Sequence, residues 1–388
     1  MNETENTGEF FEETEETLEQ TDEKCPSCGG TLDFNPETGE LICTYCGATV
    51  DIEDDEKQSA KELDFSTAEN DASRDWGAAT RTVICKTCGA ETVYDAETVS
   101  GECPYCGSNQ VMEAGGENIM APGGVCPFAV TNTAAAESFS KWIKGKLFCP
   151  RSAKKAAKAG KMSGIYLPYW TFDSDTYSRY SARYGRARTV RRGKETKVVV
   201  HWYHTHGSYR RFINDELICA SKNHDKKMLE KIEPFDTENN LEYKPEYLAG
   251  FASERYAVGL SDAWIQAQEE IRAKLAAEIR DKVARDHSTQ YVDSVRFTST
   301  HSNVTYKYLL LPVWMSSFEY KQKNYRFMVN GRSGRVGGKY PVSPLRVAIA
   351  VLLGLSLAAL LAFLIAYGEA DGAEVYIRNA ESYLRLTM

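Results

Sequence analysis

Apolar and polar positions divide the chain into stretches of different character, and from Ile119 to Pro344 their pattern is that of a folded α+β domain. Phe139, Trp142, Ile143 and Leu147 recur at helical spacing behind Thr133, the expected cap, and a basic helix with Lys154, Lys155, Lys158 and Lys161 is expected from Ser152. An apolar strand, Ile165-Tyr166-Leu167-Pro168-Tyr169-Trp170, comes next and runs on into polar strands. Ser261 is the expected cap of a long helix striped by Trp264, Ala267, Ile271, Leu275, Ile279 and Val283, which leads to Leu310-Leu311-Pro312-Val313-Trp314. The tetrapeptides LPYW and LPVW each follow an amphipathic helix and precede alternating strands, so the domain is expected to be two α-then-β halves packed together. Closing strands over 325–330 and 334–336 flank an Asn330-Gly331 turn signal.

Outside that domain the pattern changes twice. Leu345–Tyr367 is apolar with one charge, Arg346, near its start. As a helix it is about 34 Å long, enough to cross a hydrocarbon core of roughly 30 Å, and a buried soluble helix is the competing reading. Arg332, Arg335, Lys339 and Arg346 precede or open the span, and only Arg378 follows within fifteen residues. The positive-inside rule therefore predicts a single-pass cell-membrane protein with its N-terminal region cytoplasmic. At the other end, residues 1–23 hold ten carboxylates and no Lys or Arg, which reads as a disordered leader and is unlike a secretory signal.

Between leader and domain stand two cysteine sets. Cys25, Cys28, Cys43 and Cys46 form two Cys-x-x-Cys turns fourteen residues apart, and Cys85, Cys88, Cys103 and Cys106 repeat the spacing. Two such turns close a four-thiolate shell, and Gly29, Gly47, Gly89 and Gly107 follow the second cysteine of each pair, where the backbone must turn sharply. Free, disulfide-bonded or redox-active cysteines are the alternatives. The spacing and the hairpin-like sequence between the pairs favour two zinc ribbons, each holding one structural Zn2+. Structural zinc contributes on the order of 10 kcal/mol or more to folding, which such small apolar sets would need. The expected order is thus a leader (1–24), ribbon 1 (25–50), an acidic linker (51–80), ribbon 2 (81–112), the α+β domain (113–344), the span (345–367) and an outer tail (368–388).

Charge decides how the ribbons are read. Residues 1–116 carry 28 Asp+Glu against 6 Lys+Arg, whereas residues 117–344 carry 23 against 37. No Lys or Arg lies between Cys25 and Val50, so the ribbon surfaces would repel phosphates and suit protein contact better than nucleic acid. The basic surface is central, at Arg179, Arg183, Arg186, Arg188, Arg191, Arg192, Lys194 and Lys197 with tyrosines between them. It reads as a solvated loop, a face toward anionic membrane lipid, or a nucleic-acid patch. His201, His204 and His206 could form a metal shell only with a bulge, since alternation puts His201 on the other face. No phosphate-binding loop, nucleophile elbow or His-Glu-x-x-His occurs, so the sequence offers no support for an enzyme.

The runs GIYLPYWTFD, EPFDTENNLEYKPEYLAGFASERYAV and VTYKYLLLPVWMSSFEYKQKNYRFMVNGRSGRVGG resemble a family of uncharacterised bacterial membrane proteins, many from Firmicutes. These are labelled transcription factor IIB-type zinc-ribbon-containing and sometimes primosomal helicase-like. The resemblance covers residues 119–340, with LPxW, PEYLAGF and VNGxxG as its specific elements, and the ribbons in type. It implies a domain architecture and a membrane location, with no established activity. Some related ribbon-plus-membrane proteins look like partners of phage-shock or flotillin-like envelope systems. The helicase label conflicts with the missing nucleotide-binding loop, and the second ribbon and acidic leader depart from many relatives. The resulting expectation is a membrane-anchored adaptor or sensor that recruits cytosolic proteins. A membrane-tethered nucleic-acid-binding or transcription-related protein is the alternative.

Overall fold

The computed structural model describes residues 24–52, 58–68, 80–85, 91–95, 111–114, 120–157, 162–192 and 195–363, with backbone alone for the three stretches between 80 and 114. The leader up to Glu23, Lys158 and Lys161 of the basic helix, Cys88, Cys103 and Cys106 of the second cysteine set, Lys194, and the tail from residue 364 lie outside the described residues.

Ribbon 1 is a three-stranded antiparallel sheet of β1 (Leu32–Phe34), β2 (Leu41–Cys43) and β3 (Thr49–Val50). The remaining strands form one large mixed sheet. Into it go β4 (Leu63–Asp64), β5 (Thr80–Cys85), β6 (Glu91–Asp95), β7 (Val111–Ala114) and β8 (Gly124–Val125). Helices α1 (Asn132–Gly145) and α2 (Arg151–Ala156) precede β9 (Ser163–Arg192) and β10 (Glu195–Cys219). After a short α3 (Lys226–Leu229) come β11 (Leu241–Glu242), β12 (Ala252–Glu254) and the long α4 (Leu260–Asp286). The chain then returns as β13 (Tyr291–Tyr320), β14 (Lys323–Asn330) and β15 (Val336–Gly338), and leaves through α5 (Pro344–Phe363). The described residues are mixed α+β, as the sequence implies, with one cysteine cluster and one long apolar C-terminal helix.

Three of the strands are far longer than their sequence announces. β9 and β13 each run 30 residues and β10 runs 25, where strands of about 5–6 are usual. Alternation without a turn signal between Trp170 and Gly193 explains this, and it moves the basic cluster from a possible loop onto two paired strands. β9 is the centre, antiparallel to β10 on one side and to β13 on the other. Only the outer strands are bulged, between Ile213 and Glu216, Asp293 and Arg296, and Ser302 and Thr305. Asp215, Ser294 and Asn303 sit there with φ near 50°, a conformation that short polar residues tolerate. Each extra residue lengthens an outer strand so that it can coil around the unbroken β9.

The register sets the core. Leu167 pairs with Leu311 and Tyr166 with Pro312, so the LPYW and LPVW tetrapeptides are antiparallel neighbours arranged as a local twofold would arrange them. Trp170 donates its indole N–H to the Val258 carbonyl, and Trp314 donates to that of Val130. On one face Tyr166, Trp170 and Phe172 pack beneath α4, α1 and ribbon 1. On the other, Ile165, Leu167, Tyr169, Leu309, Leu311 and Val313 pack beneath Met228, Leu229, Ile232 and Phe235. Both motif strands are therefore apolar on both sides, unlike their polar continuations.

Helix α4 buries Ala263, Ala267, Ile271, Leu275, Ile279 and Val283, with Trp264 only partly covered. A strict four-residue spacing drifts about 40° per step around a helix of 3.6 residues per turn, which lets one narrow stripe follow a coiled sheet. Its last contacts, Ile279 and Val283 on Tyr180, Ala182 and Val292, lie well along the extended strands. The helix starts differ by a residue or two from expectation: Thr131 caps α1 through its hydroxyl, and Gly259 precedes α4 without a side-chain cap. The Asn330-Gly331 turn is closed by Asn330 Oδ1, which accepts from the Arg332 and Ser333 N–H groups.

Candidate metal centre and its setting

In ribbon 1 each Cys-x-x-Cys turn folds back on itself. The Gly29 N–H donates to the Cys25 carbonyl at 2.8 Å and the Gly47 N–H to the Cys43 carbonyl at 3.0 Å, with both glycines at φ just above 70°. Only glycine enters that region without strain, which is why the sequence places it after each pair. The four sulfurs converge, with Cys25 to Cys46 and Cys28 to Cys43 both at 3.5 Å and all four within 4.8 Å of one another. Metal–sulfur bonds of about 2.3 Å in a tetrahedron put sulfurs just under 4 Å apart, so the set fits a four-thiolate metal ion. Among the described residues it is the one such cluster.

The four thiols are not equivalent. Cys25 and Cys43 are buried, while Cys28 and Cys46 are exposed. The Cys46 N–H, aimed at the Cys43 sulfur, is the main reason its pKa falls to about 6. Burial would raise Cys25, but hydrogen bonds from the Ser27 and Cys28 backbone outweigh it and the thiol is lowered. The turns thus favour thiolate at the first cysteine of each pair, the form that binds metal.

Of the second set, Cys85 ends β5, and β5 pairs with both β6 and β7. Its sulfur and the other three cysteines lie outside the described residues.

Both ribbon regions attach to one segment, Pro245–Glu254, within the PEYLAGFASE run. Phe34 donates its N–H to the Ala249 carbonyl at 3.1 Å and its ring meets Tyr247 edge-on. Gly250 has φ 79°, and a Cβ there would come 2.9 Å from the Asp33 carboxyl carbon. β12, at the end of the segment, pairs with β6 on one side and with the start of β9 on the other. Its last residue, Glu254, is buried and accepts from Ser221 Oγ at 2.7 Å and Asn223 Nδ2 at 2.6 Å, with His224 Nε2 at 3.0 Å. Part of the expected linker is also laid down on the domain: β4 pairs with β13, and Phe65 packs on Phe172, Trp264 and Tyr306.

Sequence reasoning missed a charged cluster that holds this linker segment. Lys307 is buried on β13, with Asp215 at 2.9 Å and Glu62 at 3.4 Å. Burial alone would lower its pKa, yet Asp215 and Glu62 raise it. Beside it, burial first and Glu62 second push Asp173 up to about 6. The bulge that aims Asp215 inward has no sequence signature, so pattern reading had no signal to find it. A groove of about 470 Å³ nearby is lined by Glu216, Glu233, Glu238 and Glu270, with Lys274 2.6 Å from Glu216. It contains carboxylates, a lysine and one hydroxyl, that of Thr237, which donates to Asp215 at 3.2 Å.

His204 and His206 share one face of β10 and His201 takes the other, opposite Arg186, as the alternation implied. The described residues do not gather these three into a metal-ligating group. Helix α5 is 20 residues with mean hydropathy 2.4, none of it buried, and is long and apolar enough to cross a membrane. Its root is fixed by the Ser343 N–H on the Phe148 carbonyl and by Arg346 on the carbonyls of Leu147 and Cys149.

No family model matches the chain, and no solved structure matches it. The transcription-factor label therefore has no matching family behind it. Among curated proteins, the "Uncharacterized protein YdjG" of Bacillus subtilis (strain 168) is 30% identical over 328 residues, which span 84% of this chain and 91% of the relative. With that identity and coverage, the chain belongs to the family of this Bacillus protein.

Proposed function

We propose that the protein is a membrane-anchored zinc-ribbon adaptor that presents an acidic, metal-stabilised knuckle surface to a cytosolic protein partner. The observation that carries this reading is the division of ribbon 1 into a fixed and a free side. Phe34 and Asp33 are held against Pro245–Gly250, whereas Tyr45, beside Cys46, is 78% exposed. An unshielded aromatic on a small, rigid knuckle without Lys or Arg is the kind of anchor that protein interfaces use. The bound ion is read as Zn2+, held by Cys25, Cys28, Cys43 and Cys46, and a second Zn2+ by Cys85, Cys88, Cys103 and Cys106. Both are structural, with no ligand position left for catalysis. The positive residues before α5 support a cytoplasmic N-terminal side, the compartment in which thiolates stay reduced.

The test is affinity purification of the full chain from solubilised membranes, compared with Tyr45→Ala and Cys28→Ser. Loss of the same co-purifying protein in both variants, with metal content kept by Tyr45→Ala, is the expected result. An unchanged partner set in both would remove the adaptor reading.

A further inference from the structure

The paired extension of β9 and β10 is covered on one face as far as Tyr184, beyond which Arg186, Arg188, Val190 and Val199 of that face are exposed too, and it is open on the other face. Even-numbered β9 residues such as Tyr180, Ala182 and Tyr184 lie under α4 and His287. The odd-numbered side is buried at Thr171 and at Asp173, which Glu62 adjoins, and from Asp175 outward it has no layer over it among the described residues. On that side Val198 is opposite Thr189, Val200 opposite Ala187 and Trp202 opposite Gly185, with Tyr291 of β13 on the other flank of Gly185. Val198 is 62% exposed and Trp202 41%. The same face carries Arg179, Arg183, Arg191, Arg210 and Arg296, against Asp175 and Asp293 as its exposed acids. Arg183 lies 5.2 Å over the Trp202 ring, and Arg179 and Arg210 lie 5.8 and 5.4 Å over Tyr177.

An apolar stripe bordered by guanidinium groups on an exposed sheet face calls for a partner that is negatively charged at one depth and apolar just beneath. The excess of arginine fits phosphate, and Trp and Tyr are the side chains that settle at the level of lipid headgroups. Valine gives a nucleic acid neither a hydrogen bond nor a stacking surface, whereas it fits the boundary between headgroups and acyl chains. Helix α5, read as a membrane span, keeps a bilayer within reach of the arm at high effective concentration.

We propose that this open face is a second membrane contact, in which Val198, Val200 and Trp202 enter the headgroup–acyl boundary of an anionic leaflet and Arg179, Arg183 and Arg210 engage lipid phosphates. The open part of β9, residues 175–192, extends roughly 60 Å at 3.3 Å per residue, so an arm bound in this way lies along the surface, with α4 turned away from it. The inference rests on the reading of α5 as a span and adds a fixed orientation to it.

The test uses the full chain in lipid nanodiscs, with an environment-sensitive fluorescent amino acid at position 198 and, as a control, at position 265 on the exposed side of α4. Brominated lipids should quench position 198 in discs containing phosphatidylglycerol, leave position 265 bright, and quench about threefold less in phosphatidylcholine discs or with Arg179→Gln, Arg183→Gln and Arg210→Gln combined. A bright position 198 in anionic discs, with the chain still held in the disc, overturns the second contact and leaves the span standing. Failure of the chain to remain in discs removes the span reading itself. Binding of a single-stranded oligonucleotide to the detergent-solubilised chain, lost in the triple variant, would overturn the lipid assignment and give the face to nucleic acid.

Discussion

Cys43 and Cys46 differ in what they do for ribbon 1. Cys43 ends β2, is buried, and receives the Cys46 N–H, so its thiolate forms well below the usual thiol range. Cys43→Ser is expected to abolish metal binding at the first site and unfold the ribbon, read as the loss of one metal ion per chain and rapid amide exchange over 25–50. Asp173 makes a prediction about pH. Its pKa is about 6 in the folded protein against 3.8 as the reference, so the fold binds its proton more tightly than the unfolded chain does. The stability this adds is complete below about pH 4 and is lost as pH rises through about 6. Asp173→Asn, which still accepts the Asp215 N–H, should melt at a higher temperature at pH 7, by on the order of 1 kcal/mol, and show a smaller decline between pH 5 and 7. The cysteines were legible because ligand spacing is local in sequence. Asp173, Glu62 and Lys307 were not, because their meeting needs a bulge and strands that are far apart in the chain.

Among the elements, Pro245–Glu254 has more consequence than its length suggests, since ribbon 1, β6 and the edge of β9 all attach to it. Gly250→Ala should press on Asp33 and strain a left-handed backbone, costing about 1–2 kcal/mol. Its signature would be faster exchange in ribbon 1 with the α4 amides unchanged. Phe65→Ala removes three ring contacts and should cost about 2 kcal/mol in denaturant unfolding while loosening residues 58–68 first. An inert tether would instead show neither effect. The PEYLAGF run stood out in the sequence, but its role as a shared attachment did not, because no periodicity marks a segment whose partners are other segments.

At the scale of the whole molecule, the structure joins a four-cysteine knuckle, a coiled sheet with one long helix, and an apolar helix clamped at its root. Leu275→Ala, at the centre of the α4 stripe, should destabilise the full domain by about 3 kcal/mol in a single transition, because the stripe couples the base of the sheet to its extension. Removal of residues 344–388 should release the chain from membranes into the soluble fraction after alkaline extraction, since α5 is the one described helix apolar enough to span. The sequence by itself determined the four-cysteine shell, the α4 stripe, the buried motif strands and the long apolar helix, each written in a spacing of a few residues. Tertiary structure alone decided which faces those elements share. Long strands read only as polar alternation until β9 is paired on both sides, and only then does one side prove covered by α4 as far as Tyr184 and the other open. Pairing across more than a hundred residues leaves no trace in local periodicity, and from it come both the fixed seat of the ribbon and the exposed arginine face.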